Sequence, residues 1–124
     1  MRFMMIMIPE VYSKPIAPDF VPDIAAMEKM GKYNEAPQNA GVLLTLDGLT
    51  PPSAGARVSF AGGKATVTDG PFPETKEAFG GYWMIQVKSR DEAIEWAKRC
   101  PADAKDVIEI RRVHEMEDFA QPPA

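Results

Sequence analysis

The sequence predicts an α+β fold, a ferredoxin-like layer with an inserted β-hairpin, formed as one domain over residues 1–124. Two observations carry that prediction. Apolar segments recur in the order strand, helix, strand, hairpin, strand, helix, strand, which makes two strand-helix-strand units with a hairpin between them. The last strand, Val107 to Val113, alternates Ile108 and Ile110 with Glu109 and Arg111, so one sheet face meets a hydrophobic layer and the other something more polar. Both helices then cover one face. The other face carries Trp83 or Met84 with their neighbours, and a second copy of the chain is its economical cover, because a two-fold dimer buries the same patch on both partners. A homodimer is expected.

Each element has a local reason. Phe3 to Ile8 is apolar at every position, the pattern of a strand covered on both faces, and Pro9 ends it before it reaches the length of a signal-peptide core. The segment to Pro22 holds Pro9, Pro15, Pro18 and Pro22 and reads as a surface loop carrying Tyr12 and Lys14. Asp19 is placed to cap a helix with Pro22 in its first turn and Phe20, Ile24, Met27 and Met30 along one buried face; Pro37 and Gly41 close it. Val42 to Leu46 is a strand ended by Asp47-Gly48, and Leu49 to Ser53 is a bend. Arg57 to Phe60 and Lys64 to Thr68 alternate on either side of Ala61-Gly62-Gly63, the signature of a hairpin. Tyr82 to Val87 is a further strand. Ser89 and Glu92 then form a capping box before a helix with Ala93, Trp96, Ala97 and Cys100 on one face, stopped by Pro101. The tail from Glu115 to Ala124 reads as a loose end or an arm reaching to another subunit.

Composition narrows the function. A chain of 124 residues with 45% hydrophobic content buries a core without a staple, and its one cysteine excludes an internal disulfide. One cysteine beside one histidine excludes the usual structural zinc sets, and no glycine-rich loop opening a helix is present to cradle a phosphate, so no metal and no organic cofactor is expected. Cys100 sits near a helix C-terminus, where the dipole disfavours a thiolate, and reads as a small buried hydrophobe. Net charge is -4 with no basic run, which leaves counterion release without a source and makes nucleic acid an unexpected direct partner. No apolar stretch approaches the roughly 20 residues that span a bilayer. A soluble, cytoplasmic protein in a reducing compartment is the expectation.

The chemistry concentrates in Asp69-Gly70-Pro71-Phe72-Pro73-Glu74-Thr75-Lys76-Glu77, followed at once by Gly80-Gly81. Asp69 leaves a strand where turn amides become available, so it either caps the turn or faces a cavity. Gly70, Pro71 and Phe72 read as turn geometry and an apolar plug. Glu74, Lys76 and Glu77 are a solvated cluster or the lining of a closed site, in which burial and like charge raise one glutamate's pKa into the range of a proton donor or base. Glu109 and Arg111 form a pair that orders the polar sheet face, and Arg111 is placed to hold a substrate carboxylate. His114 reads as a surface or interface residue.

The same stretch, with Asp47-Gly48-Leu49, Gly80-Gly81-Tyr82, Asp91-Glu92-Ala93, Glu95-Trp96-Ala97, Pro101 and Glu109-Ile110-Arg111, closely resembles the YCII-related proteins of the DGPF type. The resemblance implies a dimeric α+β barrel, formed when two ferredoxin-like sheets face each other, in small bacterial proteins of mostly unassigned activity. It implies a structural role for Asp47, Gly70, Pro71, Phe72, Gly80 and Gly81. In the YCII branch a histidine and an aspartate form an acid-base pair. Here the first helix has no histidine and His114 follows the last strand, so either carboxylates have taken that role or this branch does not catalyse. The resemblance also implies, for some relatives, an association with sigma factors of the extracytoplasmic type. Two readings follow. One is a cofactor-free enzyme moving protons on a small organic acid or carbonyl compound between subunits, with Asp69 or Glu77 as base, Arg111 as anchor and Glu74, Lys76 and Glu109 lining the site. The other is a non-enzymatic dimer that binds a small ligand or a regulatory partner.

Overall fold

A computed structural model describes residues 1–70, 72 and 78–119. Its main sheet is built from β1 (Arg2–Ile8), β2 (Leu43–Gly48), β5 (Gly81–Gln86) and β6 (Val107–Arg112), in the order β2-β5-β1-β6 with every neighbouring pair antiparallel. Two helices, α1 (Ile24–Asn39) and α2 (Arg90–Lys98), make the crossovers, and β3 (Ala56–Ser59) with β4 (Thr66–Asp69) forms a separate hairpin. This is the ferredoxin-like order with the expected insertion.

Because side chains alternate along a strand, one face of the sheet receives Phe3, Met5 and Met7 from β1 with Trp83 and Ile85 from β5. Tyr33 of α1 and Ala93 of α2 close over them to make the core, with Ile108 and Ile110 at its margin. Trp83 therefore lies on the helix side. Its ring meets Tyr33 edge to face at 5.7 Å and its Nε1 donates to Asn34 Oδ1 at 2.7 Å, while Tyr33 donates its hydroxyl to the Trp96 carbonyl at 2.7 Å. Both polar tips are satisfied inside the layer, so the large rings stabilise it without an orphaned donor.

The first helix differs from expectation. Asp23, not Asp19, is the cap, its carboxylate accepting from the Ala26 amide at 2.7 Å, so Phe20 and Pro22 precede the helix. Its inward face is Met30, Tyr33 and Pro37, whereas Ile24 is 75% and Met27 56% exposed. The apolar stripe along α1 is buried only from Met30 onward, and the first turns of the helix are exposed. Pro37 does not end the helix. It sits in the last turn, so only the final residues of the helix follow the hydrogen bond it removes, and its carbonyl accepts from the Val42 amide at 3.1 Å. The second helix follows its capping box: Ser89 Oγ accepts from the Glu92 amide at 3.1 Å, and Glu92 reaches back to the Lys88 amide at 2.9 Å.

The proline-rich loop also holds more structure than its composition indicates. A 3₁₀ turn over Glu10–Ser13 buries Tyr12, which donates its hydroxyl to the Leu49 carbonyl at 2.8 Å. The tail is not loose up to Phe119. Arg2 holds Glu115 through two hydrogen bonds, at 2.7 and 3.2 Å, and the short helix α3 (Met116–Phe119) places Asp118 2.8 Å from Arg112. No described helix is long and apolar enough to cross a membrane.

Candidate functional site

The register of the sheet assembles a site on the face turned away from the helices. Asp47 of β2 stands opposite Tyr82 of β5, Tyr82 opposite Ile6 of β1, and Ile6 opposite Glu109 of β6. The next row reads Thr45, Met84, Met4 and Arg111. Two polar edges thus flank an apolar centre of Met4, Ile6 and Met84. A β-bulge between Leu43 and Thr45 sets which β2 side chains join these rows.

Within the first row the Tyr82 hydroxyl donates to Asp47 Oδ2 at 2.9 Å. That hydrogen bond raises the Tyr82 pKa above its ordinary value, against an opposing effect of the Thr45 hydroxyl, so the phenol stays protonated at neutral pH. Asp47 Oδ1 has no hydrogen bond or ion pair among the described residues, and the side chain is exposed. Across the sheet Arg111 Nη1 lies 3.3 Å from Glu109 Oε2, an exposed pair that leaves other guanidinium donors for a carboxylate.

The acidic motif begins on the hairpin. Asp69 ends β4 opposite Ala56 and is exposed, with no capping hydrogen bond to its carboxylate among the described residues. Gly70 is demanded by packing, since a Cβ there would stand 2.0 Å from the Pro52 carbonyl oxygen. Its amide donates to the Gly55 carbonyl at 2.9 Å. The Phe72 ring carries the Arg57 guanidinium 4.1 Å from its centroid, which makes Phe72 a cation-π platform. Pro71, Glu74, Lys76 and Glu77 lie outside the described residues. The motif returns to the sheet at Gly80, whose amide donates to the Met7 carbonyl at 2.7 Å and whose carbonyl accepts from the Leu49 amide at 3.0 Å. A Cβ on Gly80 would stand 2.6 Å from Pro9 Cγ, and one on Gly81 2.7 Å from the Asp47 carbonyl oxygen. Gly80-Gly81 therefore lets the chain enter β5 directly beside Asp47 and Tyr82.

Tyr82 was missed as a functional candidate, and Asp47 was read only as structural. The alternation of Tyr82 with Trp83 was a usable signal, because two neighbouring aromatics on a strand must face opposite ways. Elsewhere, His114 is exposed, its ring 5.0 Å from that of Phe119 and its Nδ1 3.3 Å from Asp118 Oδ2. Cys100 is half-buried and burial pushes its thiol up to about 11, which keeps it protonated. Among the described residues no group of three His, Cys, Asp or Glu side chains is placed to hold a metal ion.

Comparison with known proteins agrees with this architecture. The chain is 38% identical over 76 residues to an uncharacterized protein of Rhizobium meliloti (strain 1021), a stretch covering 61% of this chain and 56% of the relative, so the match spans little more than half the relative's length. The family model described as a YCII-related domain matches residues 1–117. A match over nearly the whole chain places it plainly: this protein belongs to the YCII-related family.

Proposed function

We propose that the chain works as a homodimer whose helix-free sheet faces enclose a small-molecule site, and that this site moves protons on a small organic acid or carbonyl compound without a cofactor. The observation that carries the reading is the pair of cross-strand rows, Asp47-Tyr82-Ile6-Glu109 and Thr45-Met84-Met4-Arg111. Arg111 anchors the carboxylate of the ligand, and Met4, Ile6 and Met84 receive its apolar part. Tyr82 fixes Asp47 through Oδ2, and Oδ1 takes a proton from the carbon next to the carbonyl. The electron pair moves to the carbonyl oxygen as an enolate, and the proton returns to carbon. A second copy closing over the face excludes water and strengthens each of these interactions. Asp69 and Glu77 stay as further candidate bases, with Glu74 and Lys76 as lining groups, because their segment returns to the sheet at Gly80, beside Asp47 and Tyr82.

Proton exchange tests the reading. Pyruvate and related small oxo acids in D2O should gain deuterium next to the carbonyl faster with the protein than in buffer, and Asp47→Asn should remove on the order of 100-fold or more of that rate. A panel in which every member exchanges at the buffer rate contradicts it. The second reading, a ligand-binding or regulatory dimer that does no chemistry, is favoured by the hairpin, where Val58, Phe60 and Val67 are all exposed and Phe60 is 71% so. It predicts ligand or partner binding with no exchange.

A further inference from the structure

An open cleft of about 480 Å³ lies at the β6 edge of the sheet, lined by Met1, Phe3, Arg90, Ile110, Arg111 and Arg112. Phe3 stands opposite Arg112, both on the helix-bearing face with Ile110, while Arg111 belongs to the opposite face of the same edge strand. Arg90 enters from the first residue of α2. The volume falls within the roughly 300 to 1,000 Å³ of small-ligand sites.

Its composition is unusual for a chain of net charge -4: three guanidinium groups and no carboxylate among the lining residues. Two of them meet acids, since Arg112 Nη1 lies 2.8 Å from Asp118 Oδ2 and Arg111 Nη1 3.3 Å from Glu109 Oε2. Arg90 has no hydrogen bond or ion pair among the described residues; its neighbour in sequence, Ser89, is occupied with the helix cap. Phe3 and Ile110 supply an apolar floor. Guanidinium groups match the planar or tetrahedral oxygens of carboxylates and phosphates through paired donors, and an adjacent apolar surface selects an anion that carries a hydrocarbon body.

We infer that this cleft binds a small organic oxyanion, a carboxylate or phosphate, whose charged group meets Arg90 and Arg112 and whose apolar body lies on Phe3 and Ile110. Asp118 occupies part of Arg112 in the free protein and competes with the ligand. Arg111 lines this cleft and also borders the Asp47-Tyr82 face, so Arg90 and Arg112, which take no part in the proposed proton transfer, are the groups that distinguish the two readings.

Calorimetric titration of the full chain with benzoate, phenyl phosphate and inorganic phosphate tests the inference. At least one aromatic anion should bind with Kd of about 1 mM or tighter, and inorganic phosphate about tenfold more weakly for want of an apolar body. Phenyl phosphate ahead of benzoate assigns a phosphate ligand; the reverse order assigns a carboxylate. Arg90→Gln should weaken binding about tenfold at an unchanged melting temperature, because Arg90 is exposed and has no hydrogen bond or ion pair among the described residues. Asp118→Asn should tighten it about threefold by freeing Arg112, and Tyr82→Phe should leave it unchanged. Failure of both aromatic anions to bind below about 10 mM, equal binding of inorganic phosphate, or an Arg90→Gln variant of wild-type affinity would overturn the inference.

Discussion

Tyr82 and Asp47 face each other across β5 and β2 on the helix-free face, the phenol donating to Oδ2 at 2.9 Å. An exposed hydrogen bond of this kind does little for stability. Tyr82→Phe is therefore expected to melt within about 2 °C of wild type while losing proton exchange. Ultraviolet titration gives a second reading. The phenolate should form at higher pH in wild type than in Asp47→Asn, because the hydrogen bond to Asp47 is the leading cause of the raised Tyr82 pKa. Coincident titration curves would show that the bond is not made in solution.

The core and the hairpin should respond differently to substitution. Ile85 is 0% exposed at the centre of the main sheet, so Ile85→Ala should cost about 2 to 5 kcal/mol in denaturant unfolding. Gly70→Ala forces a Cβ against the Pro52 carbonyl, and the exposed hairpin can move away from it. The expected result is lost hydrogen-exchange protection at the Gly70 amide, which bonds Gly55, with the core strands still protected. Global unfolding by Gly70→Ala would show that the hairpin belongs to the cooperative core.

Acid should release the tail before it unfolds the sheet. Arg112, the Glu115 amide and His114 hold the Asp118 carboxyl down from 3.8 to about 2, and Arg2 lowers that of Glu115. A carboxyl with a depressed folded pKa stabilises above its unfolded pKa, near 4, and that contribution is lost as pH falls through about 2. Contacts between His114 and Phe119 followed by NMR should weaken over that window, and Asp118→Asn should remove the pH dependence due to this group. A tail whose contacts are unchanged down to pH 2 contradicts the assignment.

Cys100 should behave as packing. With its thiol pushed up to about 11 by burial and, to a lesser extent, by Asp106, it is expected to react with disulfide reagents at pH 7 far more slowly in the folded than in the denatured chain. Equal rates would place the thiol in an exposed or activated setting.

Most of the fold was legible because it rests on local signals. The alternation of Ile108 and Ile110 with Glu109 and Arg111, the Ser89-Glu92 capping box and the Gly62-Gly63 turn each specify one element without reference to the rest. The start of α1 was not legible, because Asp19 and Asp23 are both credible caps and only the position of the core chooses between them. The site was hidden for a related reason. Asp47, Tyr82 and Glu109 are 35 and 27 residues apart in sequence and fall in one cross-strand row only through the strand order β2-β5-β1-β6 and a bulge that shifts the register by one. The dense charge of the Asp69 to Glu77 stretch is the stronger signal in the sequence, while Gly80 to Tyr82, just after it, form one side of the candidate site.

If the helix-free face is a working surface closed by a second copy of the chain, sedimentation equilibrium will show it. Met84 lies half-buried in the middle of that face, opposite Met4 on one side and Thr45 on the other, so a charge placed there would be desolvated at the dimer interface but hydrated in a monomer. The wild type should sediment at twice the chain mass at micromolar concentration, and Met84→Arg should be a folded monomer. A compact wild-type monomer, or a Met84→Arg variant that stays dimeric, would contradict it.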